Sequence, residues 1–91
     1  MTTIRILDET DSDRGWSFRV VVGPRELTVS LAWVDYDHLS RGAISPAAVV
    51  ERAMQDIIEH VPADDIDDTF DLARILRRHP EIERRLRAGE E

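Results

Sequence analysis

The sequence predicts an α+β domain over residues 1–91, in which a small three-stranded antiparallel meander is covered on one face by three or four helices. Two observations lead to this prediction. In the first third of the chain, apolar residues recur at every second position, as in strands with one buried face. From Asp35 onward, apolar residues recur at the spacing of helices instead. The two kinds of element are therefore segregated along the chain.

The alternating pattern predicts three strands, at about residues 3–7, 16–22 and 26–34. Gly23 and Pro24 separate the second strand from the third, and both residue types favour tight turns. Because a sheet of three strands is not stable alone, helices are needed to cover its apolar face. That face would carry Ile4, Ile6, Trp16, Phe18, Val20, Val22, Leu27, Val29, Leu31 and Trp33.

Helical spacing predicts three helices, at about residues 46–61, 69–78 and 80–88. Ser45 is suited to cap the first helix and Pro62 to end it. We expect the core to be formed by Trp16, Phe18, Trp33, Val50, Met54, Ile57, Phe70, Leu72 and Ile75.

The limits of the later helices follow from single residues. Asp68 is expected to cap the second helix, because an Asp side chain can accept hydrogen bonds from the first free N–H groups. Pro80 is suited to the first position of the last helix, and Gly89 to its end. The three helices are thus short and closely spaced.

The charge is acidic overall, at −7, and unevenly distributed. Residues 35–71 carry ten acids and two Arg, whereas residues 72–89 carry six Arg and two Glu. There is no Cys, which excludes disulfides, thiolate metal sites and Cys nucleophiles. The first residues lack the apolar centre of a signal peptide, and no apolar run has membrane-spanning length. We therefore expect a cytoplasmic protein that does not contact membranes.

The acidic stretch Asp8–Gly15 resembles a calcium-binding loop only in its number of carboxylates. If its alternate acids from Glu9 take ligand positions 1, 3 and 5, Arg14 stands where an EF-hand needs Gly. Val20 then stands where the loop needs a bidentate Glu. We expect this stretch to be a solvated loop between the first two strands.

Asp35, Asp37 and His38 follow the third strand closely, and a carboxylate near an imidazole can orient it for metal binding or proton transfer. A small enzyme or metal site near these residues is therefore one hypothesis, and ordinary polar surface is the other. The sequence has no pair of His at helical ligand spacing and no Gly-rich phosphate loop. It thus predicts no catalytic residues, no metal ligands and no cofactor.

Two oppositely charged segments form a possible interaction surface. Nucleic acid is not the expected partner, because Glu81 and Glu83 interrupt the basic segment and can pair with Arg85 and Arg87 one helical turn later. The residues of this surface are Asp64, Asp65, Asp67, Asp68, Arg77, Arg78, Arg84 and Arg85.

The second half of the chain resembles a family of small uncharacterised bacterial proteins that share a C-terminal Phe-Asp-Leu, Ile, Pro-Glu-x-Glu motif. The resemblance implies a fold and supplies no catalytic residues; it implies that Phe70, Leu72 and Ile75 pack, that Asp71 caps a helix and that Pro80 redirects the chain. The matching residues are Gly42, Ile44, Pro46, Val49, Val50, Pro62, Ile66, Phe70, Asp71, Leu72, Ile75, Arg77, Pro80, Glu81 and Glu83.

The leading hypothesis from the sequence is a non-enzymatic, cytoplasmic protein-interaction module, whose partner is another protein or a second copy of the chain. An alternative is an acidic protein that binds a basic partner or mimics nucleic-acid phosphates. The third hypothesis is the small enzyme or metal site near Asp35, Asp37 and His38.

Overall fold

A computed structural model describes residues 3–40 and 44–87, and in them the chain forms four strands and four helices. The predicted α+β class is confirmed. The strands are β1 (Ile4–Asp11), β2 (Gly15–Val22), β3 (Arg25–Ala32) and β4 (Thr69–Asp71). The helices are α1 (Trp33–Ser40), α2 (Pro46–His60), α3 (Leu72–Arg78) and α4 (Pro80–Arg87), with a short 3-10 turn at Ala63–Asp65. The predicted helix end at residue 88 and the roles of Gly42 and Gly89 lie outside the described residues.

The strands form one sheet in the order β1-β2-β3-β4. The first three are antiparallel neighbours, as predicted. The sequence prediction missed β4, which pairs with β3 in parallel and places Phe70 beside Val29. The sheet is therefore mixed, with a long connection through α1 and α2 between its two parallel strands.

Glycine is required at both ends of β2, for different reasons. At the β2–β3 turn, Gly23 has φ 58°, the left-handed conformation that two-residue hairpin turns need and that side chains resist. At the other end, a Cβ atom on Gly15 would lie 2.1 Å from the carbonyl oxygen of Leu31. Gly15 thus permits the close approach of β2 to β3.

The prediction that Asp8–Gly15 forms a loop is wrong. β1 continues to Asp11, which pairs with Trp16, and only residues 12–14 remain as the turn. The register shifts between Ile6 and Asp8, so that one extra residue lies at that point of β1. Asp8 then faces Arg19 on the neighbouring strand and forms an ion pair with it. Cross-strand pairing of opposite charges explains why so polar a stretch is a strand.

The prediction that the third strand continues to residue 34 and that Trp33 lies in the core is also wrong. β3 ends at Ala32, and α1 begins immediately at Trp33, whose side chain is 54% exposed. Its backbone N–H donates to the carbonyl of Arg14 at 2.7 Å, which fixes the start of α1 against the β1–β2 turn. Trp16 is only partly buried, and its ring packs edge-on against Tyr36 with centroids 5.2 Å apart.

The predicted helix over 69–78 begins three residues late, because Thr69–Asp71 pairs with the free edge of β3 as β4. Asp68 does not cap it: the residue at the N-cap position is Asp71. The Asp71 carboxylate makes no capping hydrogen bond, however, and accepts one from the Ser30 hydroxyl at 2.9 Å.

α2 agrees with the prediction at both ends. The Ser45 hydroxyl oxygen accepts a hydrogen bond from the Ala48 N–H at 3.2 Å, and the helix ends at His60, two residues before Pro62. Its apolar side packs on the inward face of the sheet, which the helices cover as predicted. In the described residues, no helix combines the length and apolar composition needed to cross a lipid bilayer. The buried core comprises Phe18, Val20, Leu27, Val29, Leu31, Leu39, Val49, Val50, Ala53, Met54, Ile57, Val61, Ile66, Phe70, Leu72, Ile75, Leu76 and Ile82.

Candidate functional site

An apolar groove of about 300 Å³ lies between the β2–β3 turn and the C-terminal end of α2. We call it the turn groove. Most of its wall is aliphatic, and Arg25 is its one charged lining residue. The groove is lined by Val22, Pro24, Arg25, Leu27, Ile58, Val61, Ala63 and Ile66.

The turn groove exists because the chain leaves α2 sharply and is then held against the start of β3. Pro62 cannot continue α2, so the backbone turns through Ala63–Asp65. Arg25, the first residue of β3, donates hydrogen bonds to the carbonyls of Ala63, at 3.2 Å, and Ile66, at 2.7 Å. A further bond of 2.7 Å goes to the Asp68 carboxylate. One guanidinium thus fixes the whole segment from residue 63 to residue 68.

Three acidic residues are immediate sequence neighbours of residues that line the turn groove. Asp64 and Asp65 follow the lining residue Ala63, and Asp67 follows Ile66; we call these three exposed residues the acidic rim. Within the described part of the chain, none of the three has an ion-pair partner, whereas Asp68 has Arg25. Beside the apolar lining, the chain therefore carries three exposed carboxylates that no described residue neutralises.

A second cavity, which we call the helix cleft, lies among α1, α3 and α4. Its volume is about 140 Å³. His38 on α1 and Glu83 on α4 meet across it, with 3.1 Å between Nε2 and Oε2. The cleft is lined by Asp35, His38, Leu39, Ala73, Leu76, Arg77 and Glu83.

The ionised form of the Asp35 side chain is disfavoured in the helix cleft. Its partial burial raises its pKa, and the negative charges of Asp71 and, more weakly, Glu83 raise it further. Arg77 and His38 act in the opposite direction. In residues 3–40 and 44–87, neither Asp35 nor Arg77 has a hydrogen-bonded or ion-paired side-chain partner.

The structure therefore brings together two of the three residues proposed from the sequence as a small enzyme or metal site. Asp35 and His38 line the cleft, while Asp37 is exposed and lies outside its lining. No local pattern linked Arg77 and Glu83 to this group, because they lie about forty residues later and reach the cleft only through helix packing.

The Arg residues proposed as a basic surface have separate roles. Arg77 lines the helix cleft, and Arg85 forms an ion pair with Asp56 on α2 at 3.2 Å. Arg78 and Arg84 are exposed and have no ion pair in the described chain. Arg77 on α3 and Arg85 on α4 thus contact different parts of the molecule.

The predicted pairing of acids and Arg along α4 does not occur in the described residues. Glu81 contacts His79 at 3.6 Å instead, and Glu83 contacts His38. Hydrogen bonding to the backbone N–H at the start of α4 lowers the pKa of Glu81, and the positive charge that His79 can carry adds to this. The two carboxylates of α4 therefore contact the N-terminus of the helix and the imidazoles of His79 and His38.

Among the described residues, Asp56, Glu59 and His60 are the group whose ligand atoms lie close enough for a metal ion, all within 4.8 Å of one another. Arg85 contacts both Asp56, at 3.2 Å, and the His60 Nδ1, at 3.3 Å. Since a guanidinium already stands beside these atoms, its positive charge opposes a cation there. This group is better explained as the contact that joins α2 to α4.

Comparison with protein-family models, with curated proteins and with solved structures found no match.

Proposed function

We propose that this protein is a non-enzymatic, cytoplasmic interaction module whose turn groove binds a basic, amphipathic segment of another protein. The observation that carries the proposal is an apolar groove whose lining residues Ala63 and Ile66 are followed directly by three exposed carboxylates without an ion-pair partner among the described residues. The proposal joins the interaction module and the basic partner that the sequence suggested separately.

The apolar wall would supply most of the binding free energy. Transfer of an aliphatic or aromatic side chain from water into such a cavity is favourable by about 25 cal/mol per Å² of apolar surface removed from water. The groove volume of about 300 Å³ can accommodate one large side chain of a partner. A bound partner would therefore insert an anchor residue between Ile58 on α2 and Pro24 in the turn.

The acidic rim would determine which anchors are accepted. Lys or Arg residues that flank the anchor would contact Asp64, Asp65 and Asp67, whereas acidic flanks would be repelled. Exposed charges act mainly on the rate of association and on specificity, and salt weakens them. Binding should therefore be selective for basic segments and decrease as ionic strength rises.

Arg25 would keep the rim and the wall in their relative places. It fixes the carbonyls of Ala63 and Ile66 before any partner arrives, so that the groove needs little ordering on binding. Since Arg25 already pairs with Asp68, its own charge is compensated and does not repel a basic partner.

The proposal is tested with three synthetic peptides and backbone amide NMR. The first peptide has a central Leu flanked by Lys; the second has Glu in place of each Lys; the third has Ala in place of Leu. We expect only the first to shift the amides of Val22, Arg25, Ile58 and Ile66. Its affinity should decrease by at least about tenfold between low and physiological salt.

A pair of charge-matched variants separates the rim from the overall charge. The variant Asp64→Asn/Asp65→Asn/Asp67→Asn should bind the Lys peptide at least about tenfold more weakly. The control Glu9→Gln/Asp11→Asn/Asp13→Asn removes the same charge from exposed residues of the β1–β2 hairpin and should bind within about twofold of the original chain. Equal binding of the Lys and Glu peptides, or equal losses in both variants, would refute the proposal.

A further inference from the structure

The helix cleft differs from the turn groove in having charged groups in its walls. Asp35 and His38 project from α1, Arg77 from α3 and Glu83 from α4, so three helices contribute to one small space. Leu39, Ala73 and Leu76 form the remaining, apolar part of the lining.

Two opposite charges in this space lack direct partners. Neither the Asp35 carboxylate nor the Arg77 guanidinium forms an ion pair within the described chain. Glu83, by contrast, is held by His38 at 3.1 Å. Asp35 is partly buried and Arg77 is exposed. Partial burial makes the unpaired Asp35 charge costly, and a ligand that donates hydrogen bonds to it would reduce that cost.

The size and charge of the cleft limit the ligand. The cleft volume of about 140 Å³ suits a small ligand. A simple anion would meet the carboxylates of Asp35 and Glu83, with Asp71 nearby. A simple cation would meet Arg77. In the described residues, the ligand atoms of Asp35, His38 and Glu83 do not converge as those of a metal site do.

We propose that the helix cleft binds a small zwitterion of the α-amino acid type. The carboxylate of the ligand accepts two hydrogen bonds from Arg77, a geometry that suits the planar guanidinium. Its ammonium group donates to Asp35 and Glu83, with His38 positioning Glu83. A small aliphatic side chain contacts Leu39, Ala73 and Leu76.

Amide NMR titrations with three small compounds test this proposal. Alanine carries both charges, propionate only the carboxylate and ethylamine only the ammonium group. We expect alanine to shift the amides of Asp35, Leu39, Ala73 and Arg77, and each singly charged compound to require at least about tenfold higher concentration. Equal responses to alanine and to either singly charged compound, or no shift with alanine up to about 100 mM, would overturn the proposal.

Variants locate the binding. Arg77→Gln and Asp35→Asn should each weaken alanine binding by at least about tenfold. Arg78→Gln removes the same charge from the next, exposed residue outside the cleft and should leave binding unchanged. Circular dichroism and urea unfolding show whether each variant is folded. Folded Arg77→Gln that still binds alanine with the original affinity would count against the proposal.

Discussion

The turn groove and the helix cleft lie near opposite ends of β3. They differ in where their charged residues are placed. At the start of β3, Arg25 is neutralised by its own chain, the wall is apolar and the free carboxylates stand outside on the rim. Beyond the end of β3, Asp35 and Arg77 line the helix cleft, and neither forms an ion pair with another described residue. On the two proposals made above, the acidic rim would select a protein segment by its flanking charges, and the charged lining of the cleft would select a small ligand by its polar groups.

The largest effect on stability is expected for Ile82→Ala, which also tests whether the two cavities are independent. Ile82 is fully buried on α4, and its truncation leaves a cavity, so we expect the free energy of unfolding to decrease by about 2–4 kcal/mol in urea titrations. Because α4 supplies Glu83 to the cleft and no lining residue to the groove, the variant should lose alanine binding while the Lys peptide still binds.

Leu86→Ala is the matched control for that change. Leu86 lies one turn later on α4 and is only partly buried, so its truncation should cost about half as much. Loss of peptide binding and alanine binding in parallel, in an Ile82→Ala variant that remains folded, would show that the two cavities are not independent.

A smaller effect is expected for Arg25→Gln, which acts on the groove alone. The change removes hydrogen bonds to Ala63, Ile66 and Asp68 and should lower the free energy of unfolding by about 1–2 kcal/mol. Hydrogen exchange should accelerate in residues 63–68 and remain unchanged in α1 and α3.

Arg19→Gln gives the comparison within the same sheet. Arg19 pairs with Asp8 and Glu26 on the solvent-facing side, and its side chain is 49% exposed. Exposed ion pairs stabilise by less than about 1 kcal/mol, so this variant should lose less than Arg25→Gln. The reverse order would mean that Arg25 does not hold the segment that forms the groove.

The smallest effect is the pH dependence of the cleft. A carboxyl group whose pKa is raised in the folded chain binds its proton more tightly there, so stability falls as pH rises from the ordinary Asp value of 3.8 through the raised pKa of Asp35. This loss of stability with rising pH is absent from the variant Asp35→Asn. The variant should gain stability relative to the original chain as pH rises to 7, by less than about 1 kcal/mol.

Urea unfolding at a series of pH values measures this gain, and Asp37→Asn, which removes the same charge from an exposed position of α1, is the control. A variant Asp35→Asn that is less stable than the original chain at pH 7 would show that the charge of Asp35 is favourable where it lies.

The sequence predicted those parts of the fold that depend on local pattern. Alternation located β2 and most of β3, and a capping Ser with a terminating Pro located α2. The sequence prediction misplaced Asp8–Asp11 because their conformation depends on cross-strand pairing, including the ion pair of Asp8 with Arg19. It misplaced Trp33 because the backbone N–H of that residue is held by the Arg14 carbonyl. β4 is three residues long and pairs with a strand distant in sequence, so no local pattern distinguishes it from a helix start.

The candidate sites were predictable to a similar degree. The acidic rim was visible as a run of Asp residues, and Asp35 with His38 as neighbours on one helical turn. The apolar wall was not, because Val22, Pro24, Ile58 and Ile66 come from separate segments that meet only in the folded chain. For the same reason, the sequence pattern assigned Arg77 to the basic segment and did not indicate that it lines the cleft.

The pairing of β4 with a strand distant in sequence also has a consequence for the order of folding. Ser30 and Asp71, which are hydrogen-bonded, lie 41 residues apart, whereas β1, β2 and β3 are joined by short turns. Closing so long a loop carries a larger entropic cost than forming hairpins, so we expect β4 to join last. Since residues 63–83 complete both cavities, a ribosome-bound chain that has formed its hairpins would still lack both binding sites. The capacity to bind would therefore appear only after residues 63–83 have packed against the hairpins.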